Sequence, residues 1–230
     1  MMFARLAVAV AIGVLTAHAS AAPVTSTAGF GTASVIDFSQ FAASCGSFAA
    51  AGCQGPLNVG SLVGETVTYT GTSGTDGSSV YNNTFGLGGN GVWGDGRNGF
   101  VGNNDVTAFM QFMFEAGPVA GVGGFVNYAP SFFGEAIMEA LDSQGNVIET
   151  FNVTADAPIS TPGAENAGAF RGFLHATSDI YGVRYSNAFS VLDDLTFTRG
   201  AAIPEPSMLA LVALALGALS VARRRKTEGK

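Results

Sequence analysis

The sequence predicts an all-β fold: a two-sheet β-sandwich of jelly-roll type. Three observations carry that expectation. Short runs rich in Val, Ile, Phe, Tyr and Thr recur between clusters of Gly, Asn and Ser, which is how strands and turns alternate. Several of these runs alternate apolar and polar residues with period two. Between residues 23 and 200 no stretch shows a convincing helical period. Gly is abundant and charge is sparse, but Phe alone numbers 18, so the composition is that of a packed domain and not of a disordered chain.

In chain order, a first strand is expected over 34–38, followed by the loop CGSFAAAGC. Residues 65–70 alternate, with Val67 and Tyr69 on one side, and 79–85 form a further strand. LGGNGVWGDGRNGFVGNND, residues 87–105, reads as one long loop. Residues 106–114 are aromatic and apolar on both faces, which places that strand centrally. A strand over 119–128 follows Gly117-Pro118. Strands over 136–141 and 147–154 flank Ser143-Gln144-Gly145-Asn146, a hairpin turn. Strands over 169–175, 180–185 and 191–198 complete the set. In the last, Val191, Asp193, Leu195 and Phe197 are expected on one face, with Leu192, Asp194, Thr196 and Thr198 on the other.

The two ends of the chain have other purposes. Arg5 precedes an apolar run, Leu6 to Leu15, and the small residues Ala17-His18-Ala19-Ser20-Ala21 follow. That order is a secretory signal peptide, assigned to residues 1–21, with cleavage after Ala19 or Ala21. The exported body is assigned to 22–200 and a C-terminal segment to 201–230. Within the latter, residues 207–222 contain no charge. As a helix they would extend roughly 24 Å, just short of a ~30 Å hydrocarbon core, and long Arg side chains can reach the interface. Arg223, Arg224, Arg225 and Lys226 then orient a single transmembrane helix with its tail in the cytoplasm. Pro204, Glu205 and Pro206 form an extended strip just outside it.

Pro-Glu-Pro, a short apolar span and an Arg-rich tail, together covering 203–226, resemble the PEP-CTERM sorting signal of Gram-negative bacteria. The resemblance implies a partner, exosortase, an integral-membrane cysteine protease that reads the signal, and an association with exopolysaccharide. It also implies a route: anchored in the inner membrane with the body in the periplasm, then released to the cell surface or beyond. The run from Gly168-Ala169-Phe170-Arg171-Gly172-Phe173 to Val191–Phe197 is similar to the closing strands of jelly-roll domains common in such proteins.

Within residues 23–200 four arginines face fifteen carboxylates, a net charge of −11. That disfavours nucleic acid and anionic membrane surfaces as partners and suits cation-bridged association with acidic polymers. Cys45 and Cys53, a close pair in an exported chain, read as a disulfide. His175 is the one histidine left after signal removal, with no Gly-x-Ser-x-Gly context, so no catalytic residue is assigned. Glu135 and Glu139 read as a solvated edge, not a glycosidase pair. Asp193-Asp194 would place one carboxylate inward, as a backbone cap or a cation ligand. Asp95, Asn98, Asn103, Asn104 and Asp105 offer hard oxygens that suit Ca²⁺, without EF-hand spacing; no other cofactor is expected. Trp93, the sole Trp, is either a sugar-stacking platform or a plug in the core. The expected function is that of a non-enzymatic envelope or matrix protein sorted by exosortase. The alternative is a carbohydrate-binding jelly-roll module.

Overall fold

The computed structural model describes residues 23–94, 99–130, 134–163 and 168–200. Fourteen strands appear in order: β1 (Ser34–Ile36), β2 (Leu57–Asn58), β3 (Val67–Gly71), β4 (Ser78–Tyr81), β5 (Phe85–Gly86), β6 (Val92–Trp93) and β7 (Phe100–Asn103); then β8 (Phe109–Phe114), β9 (Gly121–Tyr128), β10 (Ile137–Leu141), β11 (Val147–Asn152), β12 (Ala169–Leu174), β13 (Gly182–Ser186) and β14 (Ser190–Thr198). One helical turn, α1 (Val153–Asp156), follows β11. It begins where Asn152 Oδ1 accepts the Ala155 N–H at 3.0 Å.

The strands build two six-stranded antiparallel sheets. One has the order β12-β9-β14-β7-β4, with β1 also pairing β14; the other runs β11-β10-β13-β8-β3-β2. Strands β7 to β14 therefore set β7-β14-β9-β12 against β8-β13-β10-β11, the paired four-strand order of a jelly roll. Between the sheets lies one apolar core. Val101, Val122, Leu192, Leu195 and Phe197 enter it from the first sheet, and Val67, Tyr69, Phe112, Met138 and Val183 from the second. Period two explains β3 directly: Val67, Tyr69 and Gly71 are buried while Thr68 and Thr70 are half-buried on the other face. Strand β8 is interior to its sheet, as expected, with Met110, Phe112 and Phe114 directed into the core.

Three expectations are corrected. The segment 87–105 is not one loop: it contains β6 and the four-residue strand β7, whose residues are all buried. The strand expected from Val106 starts at Phe109, because Asp105 closes a turn by accepting from the Thr107 N–H (2.7 Å) and Oγ1 (2.6 Å). The two faces of β14 also do not persist along its length. Its pairing with β9 shifts register between Asp193 and Thr196, and Asp194 has φ of 50°. This is a β-bulge, and it changes which residues point inward. Leu192 faces the inter-sheet core before the bulge, and Leu195 and Phe197 face it afterwards. Val191 points to the opposite side.

That opposite side carries a second, smaller core. Phe85, Leu87, Trp93, Phe100 and Val191 are buried together beneath the β5–β6 ribbon, with Phe48, Tyr81, Phe125 and Phe189 packed around them. The excursion between β4 and β7 is thus a lid of packed apolar residues over the outer face of the first sheet. Cys45 and Cys53 are joined by a disulfide and both sulfurs are buried in the main core. They tie down the long connection before β2.

Candidate functional site

The region that points to a function is the end of the body, where β14 stops and the chain continues toward its C-terminal segment. Arg199, one residue beyond β14, is held on several sides. Its Nη2 lies 2.7 Å from Glu65 Oε2, and its Nη1 donates to Gly117 O at 2.7 Å and Pro118 O at 3.2 Å. Its carbonyl accepts from Ser178 Oγ at 2.5 Å. One residue earlier, Thr198 Oγ1 donates to Thr32 O at 3.0 Å and Thr198 O accepts from the Ala120 N–H at 2.8 Å. Four loops therefore converge on the exit of the chain. A forked guanidinium suits this position because it can satisfy a carboxylate and two carbonyls at once.

Pro204, Glu205, Pro206, Arg223, Arg224, Arg225 and Lys226 lie outside the described residues, as do the expected signal peptide and the apolar run. Among the described residues no helix is long and apolar enough to cross a membrane.

The other residues singled out by the sequence are scattered. Trp93 is fully buried. Its ring meets Phe100 edge-on at 6.5 Å, and Gly168 backs onto it so closely that a Cβ there would collide with the indole. It offers no face for a sugar; it anchors the second core, not the end of the main one. Of the proposed Ca²⁺ loop, Asp95 and Asn98 lie outside the described residues. Asn103 is fully buried in β7, where its Nδ2 donates to Ser190 Oγ at 3.1 Å and Ala108 O at 3.3 Å. Asn104 Nδ2 reaches Thr75 O at 3.5 Å. Asp105 is occupied by its own turn, and the two bonds from Thr107 hold its carboxyl below the usual range. Among the described residues no group of three His, Cys, Asp or Glu side chains is placed to hold a metal.

His175 lies between two carboxylates. Its Nε2 faces Glu149 Oε2 at 2.8 Å and its Nδ1 faces Asp179 Oδ1 at 2.6 Å. Glu149 belongs to β11 and His175 follows β12, the edge strands of the two sheets, so the contact joins the sheets along one open side. Phe151 and Phe173, ring centroids 6.4 Å apart, pack across the same gap. Glu139 pairs with Arg184 directly across the β10–β13 ladder, Nε to Oε2 at 2.7 Å. Glu135 lies before β10 and accepts from Asn152 Nδ2 at 2.6 Å. Asp193 is buried, and its Oδ1 accepts the Asp194 N–H at 2.7 Å, a local cap on the bulge.

The sequence reading places Arg171 in the run that becomes β12 but gives its side chain no role. Its guanidinium is buried and donates to three carbonyls: Ala157 at 2.8 Å, Phe170 at 2.8 Å and Pro158 at 3.2 Å. Burial holds it below the usual arginine range, partly offset by Tyr128 nearby. It pins the strand of chain after α1 to β12. An isolated arginine among apolar strand residues was the one available signal.

The fold and its exit thus define an all-β body whose final strand leads straight into a separate terminal signal. Comparison with protein families matches that signal: residues 202–226 fit the PEP-CTERM protein-sorting motif. Such a motif marks an exported protein that is held at the membrane until exosortase processes it. No match to the chain is found among curated proteins or solved structures.

Proposed function

We propose that this chain is a non-enzymatic envelope or extracellular-matrix protein, whose acidic jelly-roll body is displayed after exosortase cuts near Pro204-Glu205-Pro206. The observation that carries the reading is the sorting motif beginning two residues after the last described residue of the body. Between 207 and 222 the uncharged run serves as the temporary membrane anchor, and Arg223, Arg224, Arg225 and Lys226 orient it. A proline disfavours helix at the residue before it, and two prolines in three positions suit a strip that a protease must read. Further support comes from the polar clusters of the body. His175, Glu139, Asp105 and Asp193 are each engaged in bonds that close an edge, a ladder, a turn or a bulge. The net charge of −11 in the body favours association with acidic exopolysaccharide through bridging cations. The burial of Trp93 takes away the aromatic contact of the carbohydrate-module alternative, which also drew on the neighbouring loops, and so weighs against it.

An epitope tag inside the body, followed through cell fractionation, tests the sorting step. Pro204→Ala combined with Glu205→Ala should leave export intact and accumulate a larger, membrane-bound form, as should loss of exosortase from cells carrying the wild-type chain. Identical size and location in all three cases would leave an ordinary membrane anchor in place of a sorting signal.

A further inference from the structure

The clamp on Arg199 fixes where the body ends, and the remaining chain is short. Four residue steps separate Gly200 from Pro204, and seven separate it from Ser207, where the uncharged run begins. Even fully extended, those steps span at most about 14 Å and 25 Å. A body of this length is roughly 40 Å across. An enzyme seated at the membrane and acting on Pro204-Glu205-Pro206 must therefore work directly against the end of the body from which the chain emerges. It cannot approach the strip without touching that surface.

The surface has features that a plain loop cluster would lack. Leu62, in the 3-10 turn Ser61–Val63, is 66% exposed, and it lies three residues before Glu65, the ion-pair partner of Arg199. That turn lies against β1, where Val35 is 45% exposed. Near the same end an open cleft of about 390 Å³ is lined by Met113, Phe114, Glu115, Ser143 and Tyr181. Phe114 belongs to the same end, since its ring packs 5.0 Å from that of Phe197, and Glu115 donates its N–H to Thr66 O at 3.1 Å. The Glu115 side chain is exposed.

We infer that the exit end of the body, with the exposed Leu62 and Val35 and the Glu115 cleft, is a docking surface for the processing enzyme. The inference rests on the sorting function proposed above and deepens it: the enzyme reads the folded body as well as the terminal motif. The partner surface that fits is one with an apolar seat for Leu62 and basic groups opposite Glu115. Lipid is the poorer occupant, because a body with net charge −11 is repelled by an anionic bilayer.

The test is pulse-chase conversion of the full chain to its shorter form, in cells that contain exosortase. Leu62→Asp and Glu115→Arg alter exposed side chains and should each slow conversion about five- to tenfold, the usual scale for an interface anchor. A flexible Gly/Ser spacer of about twelve residues after Gly200 should slow it similarly by uncoupling body from strip. Adding either substitution to the spacer chain should cause no further slowing. Wild-type rates for all three variants would overturn the docking surface while leaving the sorting function intact. Equal slowing by Leu62→Asp with and without the spacer would also overturn it, by tracing the effect to folding or lipid. Failure of the wild-type chain to convert at all would instead remove the sorting function on which the inference stands.

Discussion

At the scale of single residues, burial decides the role of each conspicuous side chain. Trp93 sits in a glycine-rich segment that looks like an exposed loop, and the sequence left platform and plug both open. Its full burial against Phe100 and Gly168 makes it a packing residue. Trp93→Ala should therefore cost about 3–5 kcal/mol in a urea melt, the range for deleting a large buried aromatic. A stability change near zero with an altered glycan response would restore the platform reading. His175 is a different case. It ties β11 to the end of β12 through Glu149, so its loss should be felt in stability and not in chemistry. His175→Ala should lower stability by about 1–2 kcal/mol, the cost of leaving a mostly buried carboxylate short of one partner. Correct sorting of the folded variant, seen by fractionation, is the expected companion result. Loss of a cellular phenotype with stability unchanged would argue for an active role for the imidazole.

At the scale of elements, most strands were legible because their side chains alternate and Gly, Pro or Asn bounds them. Strands β3, β9, β10, β12 and β14 lie close to their expected positions for that reason. What was not legible depends on contacts distant in sequence. Strand β7 reads as loop because Gly102 and Asn103 are poor strand formers, yet Asn103 finds Ser190 and Ala108 only after folding. The bulge in β14 was invisible because an Asp-Asp pair does not by itself announce a left-handed residue; Asp194 adopts one, and the pattern slips by one residue. Its partner, β9, is shaped to receive it. Gly123 and Gly124 lie in the interior of β9, where glycine normally weakens a strand. A Cβ at Gly123 would lie 2.5 Å from Arg171 O in the neighbouring β12. At Gly124 it would meet Leu192, just before the bulge. Gly123→Ala should thus disturb pairing between β9 and β12 and destabilise the fold, the clash outweighing the fraction of a kcal/mol that the gain in strand propensity would contribute. Faster amide exchange confined to β12 and β9 would be its signature; an unchanged or increased melting temperature would refute the close-approach account.

At the scale of the whole molecule, the chain divides its tasks between a folded body and a terminal address. The body is stabilised by two apolar cores on either side of one sheet and by the buried Cys45–Cys53 bond. Closing so short a loop contributes roughly 2–3 kcal/mol in the chain-entropy view. The address was legible from sequence because it is linear: a membrane enzyme can read Pro-Glu-Pro beside an uncharged run without any fold. The exit surface was not legible, since the Leu62–Glu65 stretch, Glu115, Ser178 and Arg199 lie far apart in sequence. The central claim is that the mature protein keeps the body and loses the address. Intact-mass spectrometry of the form recovered from the cell surface or medium tests this most directly. The account predicts a chain that begins after the signal peptide and ends near Pro204-Glu205-Pro206, without the 207–222 run or the arginines. A surface form that still carries Arg223, Arg224, Arg225 and Lys226 would contradict it.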